Sequence, residues 1–217
     1  MTKTRSGQLR RRKSLDFSAM LPVAKITTHL LYLHGFRSSP RSAKAQRMAA
    51  WVAEHRPDLV FACPQLPPSP AEALALAEAL VAGWPPESMA LMGSSLGGFY
   101  ATVLAQRLGC PAVLLNPAVD PARDLAKHLG AQSCWQDPSQ QFYFKPEFVD
   151  ELRALAPGAL TDPLRYLAVI AKGDEVLDWR EMHQRYAGCR IKLLEGSDHG
   201  LSDFDEYLHE LSDFLNL

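Results

Sequence analysis

The sequence predicts a three-layer α/β fold on a mostly parallel sheet of about six strands, and three observations lead there. Short apolar runs alternate with helical stretches from residue 28 to the C-terminus, an order that joins parallel strands through helices packed on the sheet. The run His29-Leu30-Leu31-Tyr32-Leu33-His34 is continuously apolar between its two histidines, as in a strand buried on both faces. With 217 residues, 47% of them hydrophobic and 22% charged, the chain is long enough for one well-buried domain and short for two.

The same totals exclude several classes. A formal net charge of −1 and a pI of about 6.7 argue against nucleic acid as a partner of the protein's body. No apolar run approaches the length of a membrane span, so no stable membrane insertion is expected. Cys63, Cys110, Cys134 and Cys189 are scattered without C-x-x-C spacing, and three of them lie in or beside apolar runs. Buried reduced thiols, and with them a cytoplasmic location, are the expectation. Neither a metal nor a cofactor is called for.

Residues 1–27 are read as a basic N-terminal extension, disordered, ahead of a domain over 28–217. Residues 1–19 carry +5, with −6 left for the remainder. Too few apolar residues lie between these charges to form the core of a secretory signal. A disordered tail, an anchor to an anionic surface, and upstream residues ahead of a start at Met20 are the three readings of this stretch.

The first strand, 29–34, leads into Gly35-Phe36. Ser39-Pro40 sets a favoured N-cap residue before the residue favoured at the first helical position, and predicts a helix there. Arg37, Arg41, Lys44 and Arg47 fall in this loop and helix, either as a solvated face or as part of a mouth that attracts an anionic substrate. Val60-Phe61-Ala62-Cys63 is the second strand, ended by Pro64. Ser69-Pro70 opens an Ala/Leu-rich helix over 71–82, stopped by Gly83. A third strand begins at Met89, and the helix after it runs to Leu108 and ends at Gly109. Residues 111–117 form the fourth strand.

Residues 118–161 are too long for an ordinary connection. Helices are predicted near 121–129 and 146–156, and a small helical cap over the site is the expectation. Its aromatics (Trp135, Phe142, Tyr143, Phe144, Phe148) either line an apolar acyl pocket or pack the cap onto the body. Residues 165–171 are the next strand, 178–187 a helix and 190–195 the last strand. A final helix over 202–215, with apolar residues at Leu201, Phe204, Leu208, Leu211 and Leu215, closes the chain.

Chemistry enters at Gly93-Ser94-Ser95-Leu96-Gly97, a G-x-S-x-G pattern between a strand and a helix. A sharp strand-to-helix turn strains its central residue, and flanking glycines let the backbones pass closely. Ser95 would then stand at a helix N-terminus, where N–H groups and the dipole favour negative charge. In that context the pattern is the nucleophile elbow of an α/β-hydrolase. A plain Gly/Ser turn is the alternative; neither G-x-G-x-x-G nor a Walker sequence is present.

Groups that react in open α/β sheets gather beyond the carboxyl ends of the strands. Those ends supply Ser95, then Asp174, then His199, the chain order of the α/β-hydrolase triad. A serine hydroxyl needs a base to take its proton, histidine can accept and return it, and a carboxylate fixes the imidazole. Glu175, Asp178 and Asp198 are alternatives for the acid. His55, His128, His183 and His209 fall on helical stretches and His29 starts a strand, which leaves His199, in a Gly-flanked loop, as the base. The oxyanion donors expected are the backbone N–H groups of Phe36 and Leu96. His34 is read as a strand-end residue that fixes the loop. The acidic run Asp198, Asp203, Asp205 and Glu206 reads as a solvated helix start rather than a cation site.

Several separate blocks carry a family resemblance: Leu31-Tyr32-Leu33-His34-Gly35-Phe36-Arg37-Ser38-Ser39-Pro40-Arg41-Ser42-Ala43-Lys44-Ala45, Pro64-Gln65-Leu66-Pro67-Pro68, Gly93–Gly98, Asn116-Pro117-Ala118 and Gly173–Asp178. From about residue 28 onward the chain resembles the YqiA-like esterases, small bacterial α/β-hydrolases. The resemblance implies esterase activity on short acyl esters, and on acyl-CoA thioesters, without a cofactor. By motif match it puts the nucleophile on Ser95, the acid on Asp174 and the base on His199. The basic N-terminus departs from the family pattern. The expectation is thus a serine esterase acting on a small-molecule ester or thioester. Its rivals are a thioesterase or small amide hydrolase with the same triad, and a hydrolase-fold binding protein that has lost catalysis.

Overall fold

The structure, a computed structural model, describes residues 25–217, so the expected basic extension falls almost wholly outside the described residues. Strand β1 (His29–Leu33) is followed by helix α1 (Ala43–His55), β2 (Val60–Ala62) and α2 (Pro70–Val81). Next come β3 (Met89–Ser94), α3 (Leu96–Leu108) and β4 (Ala112–Leu115). The long connection holds α4 (Pro121–Leu125), a hairpin of β5 (Gly130–Ser133) and β6 (Gln141–Phe144), and α5 (Pro146–Leu155). The chain ends with β7 (Tyr166–Ala171), α6 (Trp179–Arg185), β8 (Arg190–Leu194) and α7 (Leu208–Phe214).

Six strands form one sheet in the order β2-β1-β3-β4-β7-β8, every neighbouring pair parallel. Their side chains alternate between two faces. Leu31, Leu33, Leu91 and Leu114 meet α2, α3 and α5, while Leu30, Tyr32, Met92 and Val113 meet α1 and α7. This is why the strands read as unbroken apolar runs: both pleat faces are covered, and each buried Leu contributes about 1.5–3 kcal/mol. Helix α3 lies closest to the centre, with Leu96 through Ala105 all buried, and it stops where Gly109 takes φ 74°. Thr27 joins the body, its hydroxyl donating to the Leu215 carbonyl at 2.5 Å.

Three local readings differ from the sequence expectation. Helix α1 starts at Ala43 rather than at Ser39-Pro40, with Ser42 extended as its N-cap. Ser39 is instead used in a turn: its hydroxyl accepts from Arg41 N–H and donates to Gln136, and its carbonyl accepts from Ser42 N–H. The Ser39 hydroxyl thus serves a turn ahead of the helix rather than a cap on it. The C-terminal stretch is a 3-10 turn (Phe204–Glu206) and then α7, broken at Tyr207, where φ is −127° and ψ 5°. All five apolar residues of the predicted helix are nevertheless buried, because a turn followed by a helix presents the same side chains to the sheet. Finally, the 118–161 segment contains both expected helices and also the antiparallel β5–β6 hairpin.

Candidate active site

Ser95 stands between the end of β3 and the start of α3 with φ 56° and ψ −120°, a conformation worth about 1–3 kcal/mol of strain in a residue with a side chain. Its neighbours hold it there. Ser95 N–H donates to the Leu115 carbonyl at 2.9 Å, and its own carbonyl accepts from Ala118 N–H at 3.0 Å. A Cβ at Gly93 would collide with the Gly97 backbone, and one at Gly97 with the Leu33 carbonyl. Only glycines fit at those two places, so G-x-S-x-G is a packing requirement as well as a motif.

Asp174 follows β7, with a fully buried side chain. Its Oδ1 accepts from the N–H groups of Val176 and Leu177, both at 2.8 Å, and its Oδ2 lies 2.8 Å from His199 Nδ1. The other acids considered go elsewhere. Asp178 caps α6, and Asp198 accepts from Ser202, whose N–H and hydroxyl hold its pKa below the usual carboxylate range. Glu175 reaches His199, but at the backbone N–H (3.0 Å) rather than the ring.

The loop that carries His199 is held by residues the sequence reading did not assign to this task. Asn116, wholly buried at the end of β4, donates to the Asp198 and His199 carbonyls and accepts from Ala171 N–H. Lys44 on α1 donates to the Gly200 carbonyl at 2.5 Å. Burial pushes its ammonium down to about 8, against the opposing attraction of Asp198 and Asp174. The signal for Asn116 was its place: a polar residue at the carboxyl end of a parallel strand.

Ser95 and His199 border one cavity of about 580 Å³. The Ser95 hydroxyl makes no hydrogen bond among the described residues; in ligand-free sites such contacts are often long and tighten on binding. The expected oxyanion donors, the N–H groups of Phe36 and Leu96, take no backbone partner among the described residues, and both residues border the same cavity. Gly35 makes room for that approach, since a Cβ there would lie 3.2 Å from Ser95 Cβ and 3.7 Å from its Oγ.

His34 is buried and accepts from Leu66 N–H at Nε2, 3.1 Å, which assigns its proton to Nδ1 facing the Gly35 carbonyl at 3.0 Å. Burial holds its pKa below the ordinary value, so it is a neutral strut between the β1 and β2 loops. Of the basic residues in this region, Arg41 pairs with Asp137 and Arg47 with Asp205. Arg37 alone of the four borders the cavity; it lies 4.0 Å over the Trp135 ring and donates to the Ser133 carbonyl at 2.8 Å, at φ 58°. In the acidic run, Asp203 accepts from the Ser197 hydroxyl and Asp205 is paired with Arg47. All four cysteines are free thiols; Cys110 and Cys134 are buried and the other two half-buried.

A family model described as "Uncharacterised protein family (UPF0227)" matches residues 29–216. Among solved structures, the chain is similar to mouse alpha/beta hydrolase domain-containing protein 10, with 14% identity over 87% of this chain and 91% of that one, at a TM-score of 0.65. It is also similar to a structure of the metagenome-derived lipolytic enzymes LipS and LipT (20% identity, 90% of this chain, 98% of that one, TM-score 0.64). The esterase domain of a Rhodothermus marinus protein matches at 20% identity over 88% of this chain and 89% of that one, at a TM-score of 0.60. At such identities these likenesses establish the α/β-hydrolase fold.

Proposed function

The chain belongs to UPF0227, the family of YqiA-like proteins, and we propose that it is a serine esterase that hydrolyses carboxylic esters through an acyl-enzyme on Ser95. One observation carries the reading: a buried carboxylate, Asp174, meets the His199 ring at 2.8 Å beside the cavity into which the strained Ser95 is set. Lipolytic and esterase chains among the fold neighbours support ester substrates.

In this reading Ser95 Oγ attacks the ester carbonyl carbon as His199 Nε2 takes its proton. Asp174 holds the imidazole in the tautomer with Nδ1 protonated and stabilises the imidazolium. Charge that develops on the carbonyl oxygen is met by the N–H groups of Phe36 and Leu96, where one such donor is worth about 2.7–4 kcal/mol of barrier. His199 returns the proton to the departing alcohol as the C–O bond breaks. Water then adds to the acyl-enzyme, its proton passing through His199 to restore the Ser95 hydroxyl. Thioesters and small amides place the same demands on these groups, and the 118–161 segment serves as the cap over the reacting carbon. The four free thiols suit a reducing, cytoplasmic location.

The test is labelling of the purified protein with an alkyl fluorophosphonate, alongside turnover of p-nitrophenyl butyrate, butyryl-CoA and an aminoacyl anilide. Covalent labelling, ester hydrolysis and loss of both in Ser95→Ala, at an unchanged melting temperature, are expected. A wild-type protein that neither labels nor hydrolyses, or a Ser95→Ala variant with near-normal turnover, overturns the reading.

A further inference from the structure

Two cavities meet at the candidate oxyanion hole. Phe36, Arg37 and Leu96 border both, but Ser95 and His199 border only the one of about 580 Å³. The other, about 560 Å³, opens on the far side, toward α2 and the β5–β6 hairpin. Each falls within the range of small-molecule sites, about 300–1,000 Å³. The Phe36 ring stands between them, its centroid 5.9 Å from Phe142 and 5.7 Å from His128, the first bordering one cavity and the second the other.

Building on the esterase reading, we infer that the two cavities divide the substrate, an aliphatic acyl chain entering the α2 side and a polar leaving group remaining on the His199 side. The proton that His199 delivers must reach the departing atom within a hydrogen-bond length, about 2.6–3.2 Å. The leaving group therefore starts in the chamber His199 borders. The carbonyl oxygen points at the N–H groups of Phe36 and Leu96, on the shared wall. The remaining substituent on the carbonyl carbon, the acyl chain, runs past Leu96 into the second chamber.

The walls agree with that division. Leu66, Pro67, Leu76, Tyr100 and Phe142 give the α2-side chamber its apolar surface beside the uncharged amides of Gln65, Gln140 and Gln141, and apart from the shared Arg37 no Asp, Glu, Lys or Arg among the described residues borders it. The His199-side chamber is about as apolar, with Leu125, Trp135, Val176 and Leu177 on its wall, and differs in carrying the charged side chains of Asp124, Lys127 and Glu175. An aliphatic chain gains by leaving water for the first, whereas charged walls favour a leaving group able to hydrogen-bond.

Leu76 on α2 and Leu125 on α4 each border one chamber alone and stand outside the reacting groups. The experiment compares kcat/KM on two series: p-nitrophenyl esters from acetate to laurate, and acetate esters of alcohols from methanol to glycerol and 1-naphthol. Leu76→Trp should lower turnover of the long acyl esters by about tenfold or more, the size of a filled hydrophobic pocket, and spare every acetate. Leu76→Ala should move the optimum toward longer acyl chains, and Leu125→Trp should lower turnover of the bulky acetates and of the p-nitrophenyl esters equally at every acyl length, while sparing methyl acetate. A Leu76→Trp loss confined to the alcohol series, or equal losses in both series, overturns the division while leaving the esterase reading intact. A wild-type protein inactive on every ester overturns that reading and the division with it.

Discussion

The Asn116 side-chain amide donates to the main-chain carbonyl of His199 at 3.3 Å and to that of Asp198 at 3.0 Å, while its oxygen accepts from Ala171 N–H at 2.8 Å. One buried residue thus fastens the histidine loop to the strand that leads to Asp174. Its own φ of 42° is a left-handed value that Asn and Asp tolerate better than other side chains. Asn116→Asp keeps the acceptor for Ala171 and the backbone tolerance, but turns a carboxylate oxygen toward two carbonyls. The expected result is a kcat lower by about 10²-fold with KM little changed, as for a misplaced reacting group. Asn116→Ala should also destabilise the fold by about 1–3 kcal/mol, since Ala171 N–H is left unpaired. Steady-state kinetics and urea unfolding of both variants check this.

Asp174 and Glu175 both touch His199, one at the ring and the other at the backbone, so their variants separate orientation of the imidazole from support of the loop. Asp174→Asn retains an acceptor for Val176 and Leu177 but presents N–H to a ring nitrogen that must itself be a donor. The wrong tautomer follows, and kcat should fall by about 10⁴-fold. Glu175→Gln keeps a carbonyl for His199 N–H and should stay within about tenfold of wild type, the upper range of an ordinary charge-assisted bond weakened rather than lost. Matching losses in the two variants would reverse the assignment.

How much of this was legible depends on the range over which each signal acts. The elbow was readable because its cause is local: Gly93 and Gly97 are required within a few residues of Ser95. The parallel strands were readable because burial on both faces leaves an unbroken apolar run. The β5–β6 hairpin was not, since Gln141-Phe142-Tyr143-Phe144 carries aromatics at consecutive positions; Phe144 is buried while Tyr143 is 62% exposed, an alternation composition hides. Asn116 could be singled out by its place at a strand's carboxyl end, but the bonds it makes were out of reach for another reason. Its partners lie 55, 82 and 83 residues away, so only the folded chain brings them together.

Gly35 tests the wall opposite Ser95. A Cβ there would lie 3.2 Å from Ser95 Cβ and 3.3 Å from the Ser94 carbonyl, so the Phe36 loop must retreat by a few tenths of an ångström or more. Gly35→Val, which adds two further methyl groups, should displace the Phe36 N–H and cost about 2.7–4 kcal/mol of barrier, a fall in kcat of about 10²–10³. Because the loop can move, the variant should still fold, as its melting curve would show. Gly93→Ala has no such freedom, since its new Cβ meets the Gly97 backbone, and it should yield little folded protein.

Alkaline pH should expose the state of the thiols. Burial pushes Cys63 up to about 12, and Cys110 and Cys189 up to about 11, from an ordinary value of 9.0. In the unfolded chain these thiols lose their protons first, so above pH 9 the folded state binds more protons than the unfolded one, and stability must fall as pH rises. Their contribution is intact below pH 9 and is lost on the way to about 11–12. Urea unfolding at stepped pH should show the decline, and Cys63→Ala combined with Cys189→Ala should make it shallower. The same burial keeps the thiolate scarce, so the native protein at pH 8 should react with Ellman's reagent far more slowly than the protein in urea. Equal rates in the two states would mean that the thiols are not protected by the packing around them.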